Sequence, residues 1–334
     1  VKLFKSIFRG REAPGRYPET LIEMAIERAV DGTDPRLRLV PGYRKRLRDP
    51  VIRAIDRVVA LVDAIPAPVP ASAEGWRTDF RLAALFASAE DMLQVFGGDK
   101  ALSDYLSSRE GRGAERVTAL LLAGLEERNI LGMDLVGDQV RREVAQVSVN
   151  FSGHRLLEPR TDEEESRRFL KRRAFDHILT LALAQIAEER VERADLARQR
   201  DLLRRKLETM KRGALSLEGP QAGEADEASL QAELDAVSGQ LENLGADAGL
   251  LEAHLQVVAA RLGEAERQVW SEEVELCLSP MNIRLDPNSP SGRRVVLQEL
   301  QTARGARAVM LHVAIAPRDL PHREDFVTAA ARYL

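Results

Sequence analysis

Two long stretches of this chain repeat apolar residues in alternating steps of four and three. The first sets Phe175, Leu179, Ala182, Ile186, Leu196, Leu203, Leu207 and Met210 on one helical face. The second does the same with Leu230, Leu234, Val237, Leu241, Leu244, Ala248, Leu251, Leu255, Val258 and Leu262. This is the a/d spacing of a coiled coil. Thr161 followed by Glu164 reads as a capping box that starts the first helix, and Gly213 ends it. Residues 213–228 contain Gly and Pro220 and form a tip loop. Two seams of matched length joined by one loop predict an antiparallel hairpin over 161–270. Glu189, Arg193 and Arg200 interrupt the first seam, while Gly239, Gly245 and Gly249 weaken the second helix, with a bend expected near Gly245.

The flanking patterns differ. Leu21, Ile22, Ala25, Ile26 and Ala29 follow helical spacing behind Pro18, and Val51, Ile52, Ile55, Val58 and Val62 follow it behind Asp49-Pro50. Further helices are expected from Asp79 to Arg128, the last carrying Val117, Leu120, Leu121 and Leu125. Residues 1–128 therefore read as a helical bundle. Beyond them the period changes to two. Val147, Val149 and Phe151 alternate with polar residues, as do Val274, Leu276 and Leu278. Further strands are expected at Leu131–Val136, around Ile283, at 295–297 and at 309–315. A lone two-stranded ribbon is marginal in water, so residues 129–160 and 271–334 are expected to pair across the base of the hairpin as a small β-containing (α+β) platform. The fold class predicted is mainly α: a bundle, a platform and an inserted coiled-coil hairpin.

Composition narrows the functions. Hydrophobic residues make up 44%, aromatic ones only 4% and charged ones 31%, which suits long solvated helices. A formal net charge of −4 disfavours nucleic acid as a partner. The single cysteine, Cys277, excludes an internal disulfide. No apolar run approaches the ~20 residues of a membrane span, so a cytoplasmic location is expected. Residues 1–9 form a short basic amphipathic pattern that allows peripheral membrane contact. A terminal helix packed on the body, or simply a frayed tail, is the favoured reading.

Motifs for phosphate-binding loops, dinucleotide folds and nucleophile elbows are absent, and the five histidines lack metal-ligand spacing. No metal or cofactor is implied. The strand-ending stretch Val149–Arg155 offers Asn150, Ser152, His154 and Arg155, with Arg141 and Arg142 upstream, as a candidate anion or ligand site. Asn150 and Ser152 resemble part of the Asp/Asn-x-Ser-x-x-Gly stretch of PilZ domains, a resemblance that would imply cyclic di-GMP binding. The glycine falls at 153 rather than 155, and Arg141-Arg142 are adjacent rather than spaced, so the assignment is not adopted. The function expected is non-enzymatic. The hairpin would mediate contact with itself or a partner protein through its seam of Phe175, Leu179, Ile186, Leu196, Leu203, Leu207, Leu230, Leu234, Leu241, Leu251, Leu255 and Leu262. The alternative is a ligand-responsive regulator that binds a phosphate-bearing molecule near 149–155. An enzyme with a site assembled from distant residues ranks third.

Overall fold

The computed structural model describes residues 15–136, 139–213, 223–243 and 247–321, with side chains for all but 133–142, 210–213, 223–227, 242–243 and 247–248. The amphipathic segment 1–9, residues 214–222 of the expected tip loop and the bend near Gly245 lie outside the described residues. In chain order the elements are α1 (Glu19–Asp31), a 3-10 helix (Pro35–Leu39), α2 (Tyr43–Asp63), β1 (Val69–Pro70), α3 (Ala73–Thr78), α4 (Phe80–Leu85), α5 (Ala89–Gly98) and α6 (Lys100–Ser107). There follow β2 (Val117–Val136), β3 (Gln139–Arg160), α7 (Glu163–Gly213), α8 (Gly223–Asn243), α9 (Asp247–Gly263), α10 (Ala265–Gln268), β4 (Val269–Leu278), β5 (Arg293–Thr302) and β6 (Arg307–Ile315).

The expectation of a mainly α protein is overturned. Of the described residues 56% are helical and 25% lie in strands, and a six-stranded sheet makes the protein an α+β mixture. The sheet runs in the order β3-β2-β6-β5-β4, with β1 pairing β6. All neighbours are antiparallel except β1 and β6. The misreading has a physical cause at Val117–Leu125. Its Val, Leu and Ala residues satisfy helical spacing, but here they form a central strand flanked by β3 and β6. A strand buried on both faces loses the alternation that identifies strands. Ala119, Leu121 and Ala123 enter one core with residues of α4–α6, while Leu120 and Leu122 enter another with Val62, Ile65 and Leu170. Leu131–Val136 is the far end of this same strand, not a ribbon of its own. The segment around Ile283 makes only isolated bridges, and Met281 is exposed there.

The described chain divides into two compact units. The sheet unit comprises 56–174 and 266–321, and the helical unit comprises 15–55 and 175–265. In the sheet unit β2–β3 joins β4–β6 through the β2–β6 ladder, from Val117↔Ile315 to Ala123↔Val309. The cap of α7 is Asp162 rather than Thr161: its carboxylate accepts the Glu164 N–H at 3.1 Å. Among the described residues, no helix is long and apolar enough to cross a membrane.

Candidate functional site

The helical unit is assembled around α7. At the base, Phe175, Ile178, Leu179, Ala182 and Ile186 are buried, as are Ile22, Ala25, Ile26 and Ala29 of α1, Val51 and Ile55 of α2, and Leu255, Val258 and Leu262 of α9. Cross-ties fix how these helices meet. Arg28 of α1 forms a two-pronged ion pair with Asp176. Arg46 of α2 reaches Glu252 at 2.5 Å, and Arg261 of α9 donates to Gln185 at 2.9 Å. Farther along, Leu203 and Leu207 pack with Leu230, Leu234 and Val237, so α7 and α8 close on each other as an antiparallel pair. Between these two apolar stretches the seam turns polar. Glu189, Arg193 and Arg200 are half-buried there, and Glu189 accepts from Gln185 at 3.0 Å.

One buried carboxylate ties the base together. Asp34 precedes the 3-10 helix and accepts from Arg36 three times: from its backbone N–H at 3.1 Å, Nε at 3.2 Å and Nη2 at 3.0 Å. Arg190 of α7 adds a further donor, and the wholly buried His254 of α9 places Nδ1 3.4 Å away. Burial would raise the Asp34 pKa, but the Arg36 donors and the Arg190 charge outweigh it and hold the carboxyl down to about 2. Burial lowers the His254 pKa, and the Arg190 cation lowers it further against the pull of Asp34. The ring is therefore neutral at pH 7, beside an ionised carboxylate. Nothing local in the sequence signalled this junction, because Arg190 lies 156 residues from Asp34.

The outer side of α7 is a different surface. Leu183, Val191 and Leu202 are 39%, 60% and 69% exposed, and Ala187 and Ala194 are exposed between them. At 100° per residue these five positions fall within about 100° of arc, on the side opposite the seam. A shallow groove of about 590 Å³ runs beside them, lined by Val191 and Leu196 and margined by Glu188, Glu192 and Asp195. Apolar residues off the a/d positions were the sequence signal for this face.

The residues singled out in the sequence are distributed as follows. Of the seam, Phe175, Leu179, Ile186, Leu203, Leu207, Leu230, Leu234, Leu255 and Leu262 are buried, and Leu196, Leu241 and Leu251 are half-buried, all within the helical unit. The candidate anion site is not gathered. Arg141 and Arg142 pair by backbone with Asp134 and Met133, and their side chains lie outside the described residues. They stand about 33 Å along β3 from Ser152 at 3.3 Å per residue. Gly153 adopts φ 63° at a bulge in β3, which turns His154 onto the core side. There its ring stacks on Phe86 at 4.6 Å and Nε2 contacts the Leu85 carbonyl at 2.8 Å. Burial lowers the His154 pKa. Asn150 and Arg155 are exposed and Ser152 is half-buried. The free Cys277 is half-buried. Compared with known protein families, curated proteins and solved structures, the chain matches none of them.

Proposed function

We propose that this chain is a non-catalytic interaction protein that associates with a second copy of itself through the outer face of α7. The carrying observation is the exposed stripe Leu183, Val191 and Leu202 on a helix whose inner face is already filled by its own chain. A solvated helix face is ordinarily polar, so a run of three large apolar groups favours a covering partner. The spacing suits a second copy. Antiparallel pairing about the midpoint between Glu192 and Arg193 sets Leu183 against Leu202 and Val191 against Ala194, with the stem of Arg198 over Ala187. The two copies then present the same patch to each other, as a two-fold contact requires. In this reading the seam is the stiffener of the interface, not the interface itself.

Sedimentation velocity over the micromolar range tests it. The parent is expected to pass from monomer to dimer as concentration rises. Val191→Glu combined with Leu202→Glu should remain monomeric with an unchanged Tm, since both positions are exposed. Leu203→Ala should lower the Tm by removing a buried seam residue, and still dimerise. A parent that stays monomeric throughout, or an α7 double variant that dimerises like the parent, overturns the proposal.

A further inference from the structure

The sheet of the sheet unit is forked. β5 pairs with β4 along its whole length, from Arg293↔Leu278 to Thr302↔Val269. Its pairing with β6 covers only Gln298↔Met310 to Gln301↔Arg307. Past Met310 the β6 edge turns to β1 instead, with Val69↔Val313 and Pro70↔Ala314. Residues Arg293–Leu297 of β5 and Leu311–His312 of β6 therefore part where a regular ladder would continue. A cleft of about 390 Å³ opens at the fork, within the size range of small-molecule sites. Phe80, Val296 and Met310 give it apolar walls, and Phe80 and Val296 are themselves partly exposed.

The cleft reaches His312, which is 1% exposed. Neither ring nitrogen meets a hydrogen-bond partner among the described residues. The carboxylate of Glu163 stands 4.0 Å from Nδ1, too far to accept, and is engaged by Arg167 Nε at 3.0 Å. Burial pushes the His312 pKa down to about 4, helped next by the Arg167 cation and least by Arg116, against the opposing effects of Glu163 and the Pro66 backbone. The imidazole at neutral pH thus offers one N–H donor and one lone pair. A buried donor and acceptor left unmatched carry a desolvation penalty that a complementary ligand would remove.

The rim argues against an anion. Arg81 is bound to Asp79 through Nε at 3.0 Å and Nη2 at 2.6 Å. Arg294 is bound to Glu275 at 2.7 Å. A third cation, Arg293, stacks over the Phe80 ring at 5.4 Å, and Glu273 lines the cleft as well, so a phosphate or carboxylate would meet a carboxylate alongside these largely engaged cations. We propose that the cleft binds a small uncharged molecule with an apolar body and an amide-like donor–acceptor edge, anchored by His312. The site is separate from the outer face of α7 and does not depend on it.

Benzamide is the probe, with toluene lacking the polar edge and benzoate carrying a charge. Each is titrated at pH 7 into the full ¹⁵N-labelled chain, and the imidazole nitrogen resonances are followed. Benzamide should shift the His312 signals saturably and bind about tenfold more tightly than either comparator, the value of one net hydrogen bond of about 1.4 kcal/mol. Val296→Trp adds bulk at a position already open to solvent, and should abolish the shift while leaving the Tm unchanged. His312→Phe should erase the preference for benzamide over toluene. His312 signals unmoved at saturating benzamide, equal affinity for toluene, or undiminished binding to Val296→Trp would each overturn the proposal.

Discussion

Each unit of this protein buries one histidine beside an acidic residue and an arginine, and the two arrangements differ in what faces the ring. In the helical unit His254 lies 3.4 Å from Asp34, whose carboxylate is tied to Arg36 and Arg190. Three segments distant in sequence converge on the Asp34 carboxylate there, although neither His254 nitrogen meets a hydrogen-bond partner among the described residues. In the sheet unit His312 stands 4.0 Å from a carboxylate already held by Arg167, and a cleft meets its other surroundings. Burial is the first cause of the lowered pKa in both. Titration alone would not separate them. The separation comes from geometry: the first histidine is packed beside the Asp34 carboxylate and Arg190, and a parted pair of strands makes the second available to something outside the chain.

The largest expected effect breaks the sheet side of this comparison. α3 begins so close to β1 that a Cβ on Gly75 would collide with the Pro70 carbonyl oxygen, and Ser72 Oγ caps the Gly75 N–H at 3.1 Å. Backbone cannot swing aside as a side chain can. Gly75→Ala should cost about 3 kcal/mol in urea unfolding, at the upper end for overpacking. It should also abolish benzamide binding, since β1 forms the far side of the fork. A loss below about 0.5 kcal/mol, within the scatter of ordinary surface changes, would show that this corner does not hold β1 in place.

Removing the central carboxylate tests the helical side. Asp34→Ala deletes the shared acceptor of Arg36 and Arg190, and the carboxylate beside His254, and should destabilise by about 2–3 kcal/mol, the range for charged hydrogen bonds lost from a buried site. Arg190 retains partial access to water, which keeps the effect below that of a fully stranded buried charge. Glu163→Ala, the counterpart in the sheet unit, should cost less than about 1 kcal/mol because its carboxylate is 37% exposed. Equal losses at the two sites would remove the distinction between the junction and the fork.

Acid sharpens the same contrast. The His312 pKa is lowered in the folded chain, to about 4 from an ordinary 6.5. As pH falls through 6.5 the unfolded chain takes up a proton that the folded chain refuses, so stability is lost between about 6.5 and 4 and levels off below. Between pH 7 and pH 5 His312 alone should cost about 2 kcal/mol, by linkage of that shift to unfolding. His254 and His154 act in the same direction. His312→Gln should flatten the His312 part of the slope, measured as the difference in urea midpoint between the two pH values. An unchanged slope would mean that His312 is not kept neutral by its burial.

What was legible in the chain was local. α1 and α7 follow from apolar spacing together with Pro18 and the acidic start at 162–165, because a helix with one wet face shows its period. β2 was not legible, because Leu120 and Leu121 are buried on opposite faces and its one polar residue from 117 to 125, Thr118, is itself buried. The fork was hidden for another reason. It arises where the β5–β6 register stops and the β1–β6 register begins, a difference between two pairings that no single strand encodes. The ligand stretch 149–155 looked continuous in sequence, but one bulge at Gly153 separated His154 from its neighbours.

The smallest expected effect concerns the glycines of the helical unit. Gly75 is required by a backbone contact, whereas a Cβ on Gly239 would meet nothing within 4 Å. Gly239 sits inside α8, which ends at Asn243, and its position between Leu234 and Leu241 lies along the α7–α8 pair. Glycine there carries only the entropic cost of ordering a flexible residue. Gly239→Ala should therefore stabilise by about 0.5–1 kcal/mol, less than a mid-helix value if the last turn frays. The gain should appear as a higher urea midpoint at constant m-value, with sedimentation unchanged, because the substitution leaves the outer face of α7 untouched. Destabilisation instead would place another group against that position and make this glycine, like Gly75, one that packing demands.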